Sequence, residues 1–157
     1  MSALSKVTTR SLWACMAVAA ILAAGCAGMP PSGKAPVRLT GGQEVPPVGG
    51  NSSGSTDIWV FLTKCASSGT SLSCPQAFGT VTTSGFVGTA AHIHRGKVGQ
   101  NGPVILPLIK TGENTWAVPD RAFVSDSDFG GYQDGELYVN VHSANNPNGE
   151  VRGQLVP

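Results

Sequence analysis

Residues 135–155 read GELYVNVHSANNPNGEVRGQL, and this stretch decides the fold. Along residues 136–143 apolar and polar side chains alternate: Leu137, Val139 and Val141 are apolar, and Tyr138, Asn140 and His142 lie between them. Alternation with a period of two is typical of a β-strand with one core face and one polar face. The turn-rich segment 143–149 then leads into a return strand over residues 150–156. The sequence therefore predicts a hairpin at the end of the chain.

The chain before this hairpin breaks into similar short runs bounded by Gly, Pro, Asn and Asp. We predict strands over residues 37–40, 55–64, 75–83, 90–94, 103–110 and 114–118. Residues 119–135 show no alternation and are expected to hold one short helical turn. About eight short strands with frequent turns indicate an all-β fold, an antiparallel Greek-key sandwich or barrel.

Length and charge exclude several classes of protein. The chain has 157 residues, which fits one domain. Charged residues make up 12% and the formal net charge is +1. A nucleic-acid-binding protein needs a basic surface that neutralises phosphates, so we expect no nucleic-acid partner.

The first 25 residues have the pattern of an export signal. Lys6 and Arg10 lie in a segment without acidic residues, and residues 11–25 carry no charge. A basic segment followed by a short apolar run is typical of a secretory signal peptide. A transmembrane helix needs about 20 apolar residues, and this run is shorter. Residues 1–25 are therefore predicted to be a signal peptide.

Leu22-Ala23-Ala24-Gly25-Cys26 ends that run and resembles the lipobox of bacterial lipoproteins. The resemblance implies that Cys26 is lipidated and that the chain is cleaved before it. Residues 26–36 then form a flexible tether that joins the lipid to the domain. The same resemblance implies, because Ala27 and not Asp follows the cysteine, anchoring to the outer membrane, on its periplasmic or its surface side. An ordinary secretory signal with an unmodified Cys26 is the alternative.

Two further cysteines, Cys65 and Cys74, lie in the segment KCASSGTSLSC. An even pair of cysteines in an exported protein is typical of a disulfide bond. A thiolate metal site is the alternative, but the spacing matches no zinc motif. We therefore predict a Cys65–Cys74 disulfide.

All three histidines of the chain lie on predicted strands. Residues two apart on a strand share a face, so His92 and His94 can converge on one ion while Ile93 faces the core. His142 lies on the polar face of its own strand, and the three imidazoles can form a cluster if the two strands are neighbours. Nitrogen ligands with an open position suit Cu(II), which we favour, or Zn(II). The alternative is that each histidine only hydrogen-bonds locally. Asn140 and Arg152 are expected to hydrogen-bond within the polar face, with the support of a metal ligand as the alternative.

Three segments together resemble the CHRD domain, which is named for chordin and also occurs in bacterial exported proteins. They are LTGGQEVPPV at 39–48, AAHIHRGKVGQNGPVI at 90–105 and GELYVNVHSANNPNGEVRGQL at 135–155. The resemblance covers residues 37–157, and the insertion that carries Cys65 and Cys74 departs from the usual pattern. It implies an all-β sandwich, immunoglobulin-like or similar in layout to copper/zinc superoxide dismutase. It implies no settled activity, since bacterial relatives are linked to copper handling and animal proteins use the domain for extracellular binding.

These observations indicate a lipid-anchored protein of the cell envelope that binds a metal through His92, His94 and His142 for storage, delivery or tolerance. The alternative is a metal-free structural or protein-binding module that engages an envelope partner. No catalytic residues are predicted, because no Gly-x-Ser-x-Gly sequence or Ser/His/Asp order stands out. The dismutase needs paired copper and zinc sites with more histidines than three, so we expect no enzyme activity.

Overall fold

A computed structural model of the chain describes residues 34–67 and 70–157. The predicted signal peptide, Cys26 and most of the predicted tether lie outside the described residues. The strands are β1 Val37–Thr40, β2 Ser53–Thr56, β3 Trp59–Ser67, β4 Thr70–Phe78, β5 Thr80–Ser84, β6 Gly88–Arg95, β7 Val104–Pro107, β8 Ile109–Gly112, β9 Thr115–Ala117, β10 Leu137–Ser143 and β11 Val151–Gln154. Helix α1 spans Asp126–Gln133, and one 3-10 turn spans Gly41–Gln43. In this part of the chain no helix has the length and apolarity that crossing a membrane requires.

Nine of these strands form one antiparallel sheet in the order β7-β6-β10-β11-β1-β2-β5-β9-β8, and β3 pairs with β4 in a second small sheet. The large sheet nearly closes on itself, because β7 and β8 are separated in sequence only by Leu108. The backbone N–H of Leu108 donates to the carbonyl of Ala91 in β6 at 2.9 Å. This arrangement confirms the predicted all-β antiparallel sandwich or barrel. Near-closure also leaves little unpaired strand edge in the large sheet.

Three predicted strands are each divided in the structure. The strand predicted over residues 103–110 is divided at Leu108 into β7 and β8, and the other two divisions lie at one place in the fold. The predicted strand 55–64 stops at Thr56 and resumes at Trp59, and the predicted strand 75–83 is interrupted at Gly79. Gly79 has a φ of +120°, and a Cβ atom there would lie 2.7 Å from the Cα of Ile58. The two interruptions therefore meet at one crossing point, where the chain passes between the large sheet and the β3–β4 hairpin. Period-two alternation continues across such a point, which is why the pattern alone did not locate it.

Helix α1 is longer than the single turn predicted for residues 119–135. Ser125 caps its N-terminus by accepting a hydrogen bond from the backbone N–H of Asp128 at 3.0 Å. Asp126 and Asp128 lie in the first turn, where negative charge is favourable to the helix dipole. Gly135, with a φ of +70°, follows its end.

The β3–β4 hairpin contains the predicted disulfide. Cys65 and Cys74 are bonded, with their Cα atoms 5.7 Å apart. The bond joins the two strands of the hairpin diagonally, since Cys65 pairs with Leu72 and Cys74 pairs with Thr63. The prediction from cysteine count and export is therefore confirmed.

The terminal hairpin forms as predicted, with β10 and β11 paired from Tyr138↔Gln154 to Val141↔Val151. Its apolar face is fully buried in the core, as expected. Its polar face is largely buried as well: the exposed fraction is 2% for Tyr138, 3% for Asn140 and 1% for Arg152. Loops therefore cover much of this face, so three residues of the predicted polar face lie in an interior, while His142 and Gln154 are half-buried.

Gly88, the first residue of β6, is held against the core by Trp116. A Cβ atom at Gly88 would lie 2.5 Å from Cζ2 of that buried indole, so Gly88→Ala forces the ring or the strand to move. We expect a loss of about 1–3 kcal/mol in the free energy of unfolding, measured by urea denaturation. Gly42→Ala is the matched control, because no atom lies within 4 Å of its added Cβ. Equal losses in the two variants would contradict the account of this packing.

Candidate metal centre

The pairing of β6 with β10 brings the three histidines together. His92 lies opposite Asn140, His94 opposite Tyr138, and His142 opposite Ala90. Because opposite residues and residues two apart share a face, His92, His94 and His142 project from the same side of the sheet. Ile93 projects to the other side and is buried in the core. The condition set by the sequence analysis, that the two strands be neighbours, is met.

The imidazoles form a compact cluster. Nδ1 of His92 lies 2.9 Å from Nε2 of His142. The ring centroids of His92 and His94 are 5.7 Å apart, and those of His94 and His142 are 6.4 Å apart. One nitrogen from each ring can be chosen so that all three lie within 4.8 Å of one another. Three nitrogens at such separations are close enough to share one ion after a small contraction, since copper and zinc bind imidazole nitrogen at about 2.0 Å.

Backbone carbonyls fix the protonation pattern of two of the rings. Nδ1 of His94 lies 2.9 Å from the carbonyl oxygen of Gly102, and Nδ1 of His142 lies 2.9 Å from that of Pro147. A carbonyl oxygen only accepts, so both Nδ1 atoms carry the proton and donate it. The Nε2 atoms of His94 and His142 then bear a lone pair. The Nδ1–H of His92 donates to Nε2 of His142, which leaves a hydrogen-bonded proton between two possible metal ligands.

Nε2 of His94 is the one buried nitrogen of the three rings, all of which the structure describes, that has no hydrogen-bond partner. A buried polar atom without a partner costs about 1–3 kcal/mol, and an acceptor of this kind is satisfied by a cation. The lone pair of His94 is therefore free for coordination without the loss of an existing hydrogen bond.

The surroundings keep the cluster uncharged. Burial lowers the pKa of all three imidazoles below the usual 6.5, because the charged form loses its hydration. Repulsion from His142 and His94 lowers the pKa of His92 further, while the hydrogen bonds to Gly102 and Pro147 partly oppose the effect of burial on the other two. At neutral pH the rings are unprotonated, which is the form that binds metal.

Next to the cluster lies a buried carboxylate that sequence reasoning did not single out. Glu44 accepts two hydrogen bonds from Nδ2 of Asn140, each 2.9 Å long. Burial raises the pKa of Glu44 to about 7, although Arg152 and Asn140 oppose this effect. Gly149 is packed against the pair, since a Cβ atom there would lie 2.5 Å from Oε2 of Glu44. The only signal in the sequence was the position of Glu44 inside the segment LTGGQEVPPV.

Arg152 holds the loop over residues 96–103, which we call the 96–103 loop. Its guanidinium donates to the carbonyl oxygens of Gln100 and Lys97, each at 2.9 Å. Asn140 and Arg152 were expected to hydrogen-bond within the polar face. In the structure Arg152 donates within this face to the side chain of Gln154 at 3.3 Å, as expected, but its two shorter bonds go to the 96–103 loop. Asn140 bonds to Glu44, which lies outside the two strands.

Comparison with family models matches residues 35–155 to the CHRD domain. No curated protein and no solved structure matches the chain. The matched range contains all three histidines, Glu44 and the 96–103 loop. The resemblance noted in the three sequence segments is therefore confirmed over nearly the whole described chain.

Glu44 gives the folded protein a distinct pH dependence. Its folded pKa of about 7 lies above the usual 4.5, so its contribution to stability is fully present below pH 4.5 and is lost as the pH rises through 7. Glu44→Gln removes this contribution. The free energy of unfolding of both proteins is measured by urea denaturation from pH 4.5 to 7.5. The value for the wild type minus the value for the variant should fall as the pH rises. The lowered pKa values of the histidines make the free energy of unfolding rise with pH instead. The histidines are present in both proteins, so their effect cancels in the difference.

Glu150 provides the control for this prediction. It is also a buried carboxylate, but hydrogen bonds from Asn146, Ser52 and Ser143 outweigh the effect of burial and lower its pKa. Its contribution is therefore lost as the pH falls below 4.5, and the difference between wild type and Glu150→Gln should be nearly flat from pH 4.5 to 7.5. Only a small slope is expected, because Glu150 repels Glu44 and is the least of the causes that raise the pKa of Glu44. A flat difference for Glu44→Gln as well would contradict our account of the buried carboxylate.

Proposed function

The chain belongs to the CHRD domain family, and from this membership and the histidine cluster we propose that it binds one metal ion through His92, His94 and His142. The observation that carries the proposal is the convergence of all three histidines of the chain on one face of two paired strands. Three local hydrogen-bonding roles would not require that convergence. The role we infer is binding, in storage, delivery or tolerance, and not catalysis.

The existing hydrogen bonds support binding at defined nitrogens. His94 and His142 offer Nε2, because their Nδ1 atoms are held by Gly102 and Pro147. Metal-bound histidines in proteins commonly donate their other ring N–H to a carbonyl in this way, which fixes ring orientation. His92 joins them when the proton between its Nδ1 and Nε2 of His142 is displaced. Affinity should therefore weaken as the pH falls through the lowered histidine pKa values, since protons compete for the same lone pairs.

Copper is the ion we favour. Imidazole nitrogen suits Cu(II), and Cu(II) has the highest affinity in the divalent first-row series. Zn(II) also accepts three nitrogens with an open position, and it is the second choice. The described cysteines, Cys65 and Cys74, are joined in a disulfide and offer no thiolate, so the donor set is the one that favours Cu(II) over Cu(I).

Metal binding can be tested on purified residues 27–157 with Cu(II) and Zn(II). We expect one ion per chain and a rise in melting temperature. A metal ion whose free concentration is 100 times its dissociation constant stabilises the folded state by about 2.7 kcal/mol. His92→Ala, His94→Ala and His142→Ala should each remove the stabilisation. Lys97→Ala, in the 96–103 loop and with a side chain that is 67% exposed, should bind as the wild type does. Undiminished binding in a His92→Ala/His94→Ala double variant would overturn the proposal.

A second hypothesis, a metal-free structural or protein-binding module, is favoured by a different part of the surface. An open apolar groove of about 570 Å³ is lined by Trp59, Phe61, Phe129 and Tyr132, among others. The hairpin that borders it exposes Leu62 (50%) and Leu72 (52%). This hypothesis predicts a melting temperature that is unchanged by either metal.

We propose that the protein acts at the cell envelope, anchored to the outer membrane by lipid on Cys26. The lipobox-like segment that ends at Cys26, followed by Ala27, supports this location. One acyl chain gives only marginal membrane binding, whereas several chains on one residue anchor a protein firmly.

Substitution of Cys26 tests the anchor. Cys26→Ser should abolish incorporation of labelled palmitate and leave the uncleaved precursor, measured by metabolic labelling and by the size of the band on an immunoblot. Cys15→Ser, inside the predicted signal peptide, should incorporate the label as the wild type does. If Cys26→Ser still incorporated labelled palmitate, lipid anchoring through this residue would be wrong.

A further inference from the structure

We infer that Tyr138 is a positioning residue that holds His94 in its metal-binding orientation before an ion arrives. The inference rests on the proposed metal site and assigns to it a residue outside the ligand set. Tyr138 lies opposite His94 in the pairing of β10 with β6, and it is almost completely buried. Two separate contacts, one by its ring and one by its hydroxyl group, connect it to His94.

The first contact is a ring stack. The centroids of the Tyr138 and His94 rings are 4.8 Å apart, and the two planes differ by only 13°. Opposite residues on paired strands have Cβ atoms about 4.5–5.5 Å apart, so the stack follows from the register. A flat ring packed along the imidazole restricts rotation of His94 about its ring torsion, which is otherwise broad.

The second contact runs through Gly102. The backbone N–H of Gly102 donates to the hydroxyl oxygen of Tyr138 at 3.2 Å, and the carbonyl of the same residue accepts from Nδ1 of His94 at 2.9 Å. Tyr138 thus fixes the residue whose carbonyl determines which His94 nitrogen is protonated. Only glycine fits here, because a Cβ atom at Gly102 would lie 2.7 Å from the carbonyl carbon of Arg95.

Arg152 supports the same arrangement from the other side of β10. Its guanidinium carbon lies 3.5 Å from the centroid of the Tyr138 ring, and its N–H groups hold the carbonyls of Gln100 and Lys97. Strands β6 and β11 flank β10, so Tyr138 contacts His94 on one neighbour and Arg152 on the other. The tyrosine and the 96–103 loop are therefore held together as one unit around His94.

The consequence is a preformed ligand. His94 keeps its proton on Nδ1 and leaves Nε2 buried, unpaired and available. Without the ring or the hydroxyl group of Tyr138, His94 can rotate or change tautomer, and part of the binding free energy is then spent on ordering it. Loss of residues that orient metal ligands typically lowers metal affinity by about 10–100-fold.

The test compares Tyr138→Phe, which removes the hydroxyl group and keeps the ring, with Tyr138→Leu, which removes both. Cu(II) affinity, measured by competition with a chelator, should fall about tenfold in the first and about a hundredfold in the second. Electron paramagnetic resonance of the copper complex should show three imidazole nitrogens in the wild type and fewer in Tyr138→Leu. In the metal-free protein, ¹⁵N NMR should show His94 as a single Nδ1–H tautomer that becomes a mixture in both variants.

Tyr132→Phe is the matched control. Tyr132 is also a buried tyrosine, and its hydroxyl group donates to the carbonyl of Val156, away from the histidines. It should change neither copper affinity nor the His94 tautomer, even if it lowers the melting temperature.

Each result decides the matter. Wild-type affinity in both Tyr138 variants overturns the inference, and so does a loss of affinity with three coordinated nitrogens and an unchanged His94 tautomer. If the wild type binds no metal, the proposed function fails. The tautomer measurement on metal-free protein then still decides the positioning role, since a pure Nδ1–H tautomer in both variants overturns it and a mixture supports it.

Discussion

The antiparallel register between β6 and β10 is the constraint on which the rest of the structure depends. It pairs Val139 with Ile93 on the core side and His94 with Tyr138 on the opposite side. A slip of one residue would move Ile93 to the polar face and the histidines into the core, so burial of apolar side chains strongly disfavours it. The hydrophobic effect that stabilises the barrel therefore also assembles the imidazole cluster.

The second face of these strands is polar, and most of it is nevertheless buried. Its polar side chains therefore need hydrogen-bond partners within the protein. A buried polar group without a partner is costly, and a buried charge more so. Glu44, the 96–103 loop and Pro147 supply the partners for Asn140, Arg152, His94 and His142. Because the covering loops contribute mainly backbone carbonyls, they orient the Nδ1–H groups of His94 and His142 and make no bond to the Nε2 lone pairs of these two rings. The same loops thus satisfy the interior and prepare the site for a cation.

The sequence predicted the parts of this arrangement that depend on period-two alternation. The final hairpin, the common face of His92 and His94, and the disulfide between Cys65 and Cys74 all follow from local pattern or composition. The meeting of His142 with the other two histidines required knowledge of which strands are neighbours, and the family resemblance supplied only the general layout. The interruptions at Asp57 and Gly79 and the near-closure through Leu108 depend on long-range packing that alternation does not encode.

The loops account for what sequence reasoning missed. Gly102 and Pro147 act through backbone carbonyls, and any residue has a carbonyl, so their identity gives no sign of this role. Glu44 is an ordinary acidic residue until the fold buries it against Asn140. Tyr138 reads as a residue on a polar face, and only the packing of the 96–103 loop shows that its hydroxyl group and ring act on one histidine.

The central claim is that three imidazoles of one chain coordinate a single ion. X-ray absorption spectroscopy of residues 27–157 loaded with one equivalent of Cu(II) tests it most directly. We predict three imidazole nitrogens at about 2.0 Å from the metal, with the remaining coordination supplied by solvent. A copper ion that is lost on desalting, or one bound by oxygen ligands with no more than one imidazole, would contradict the account.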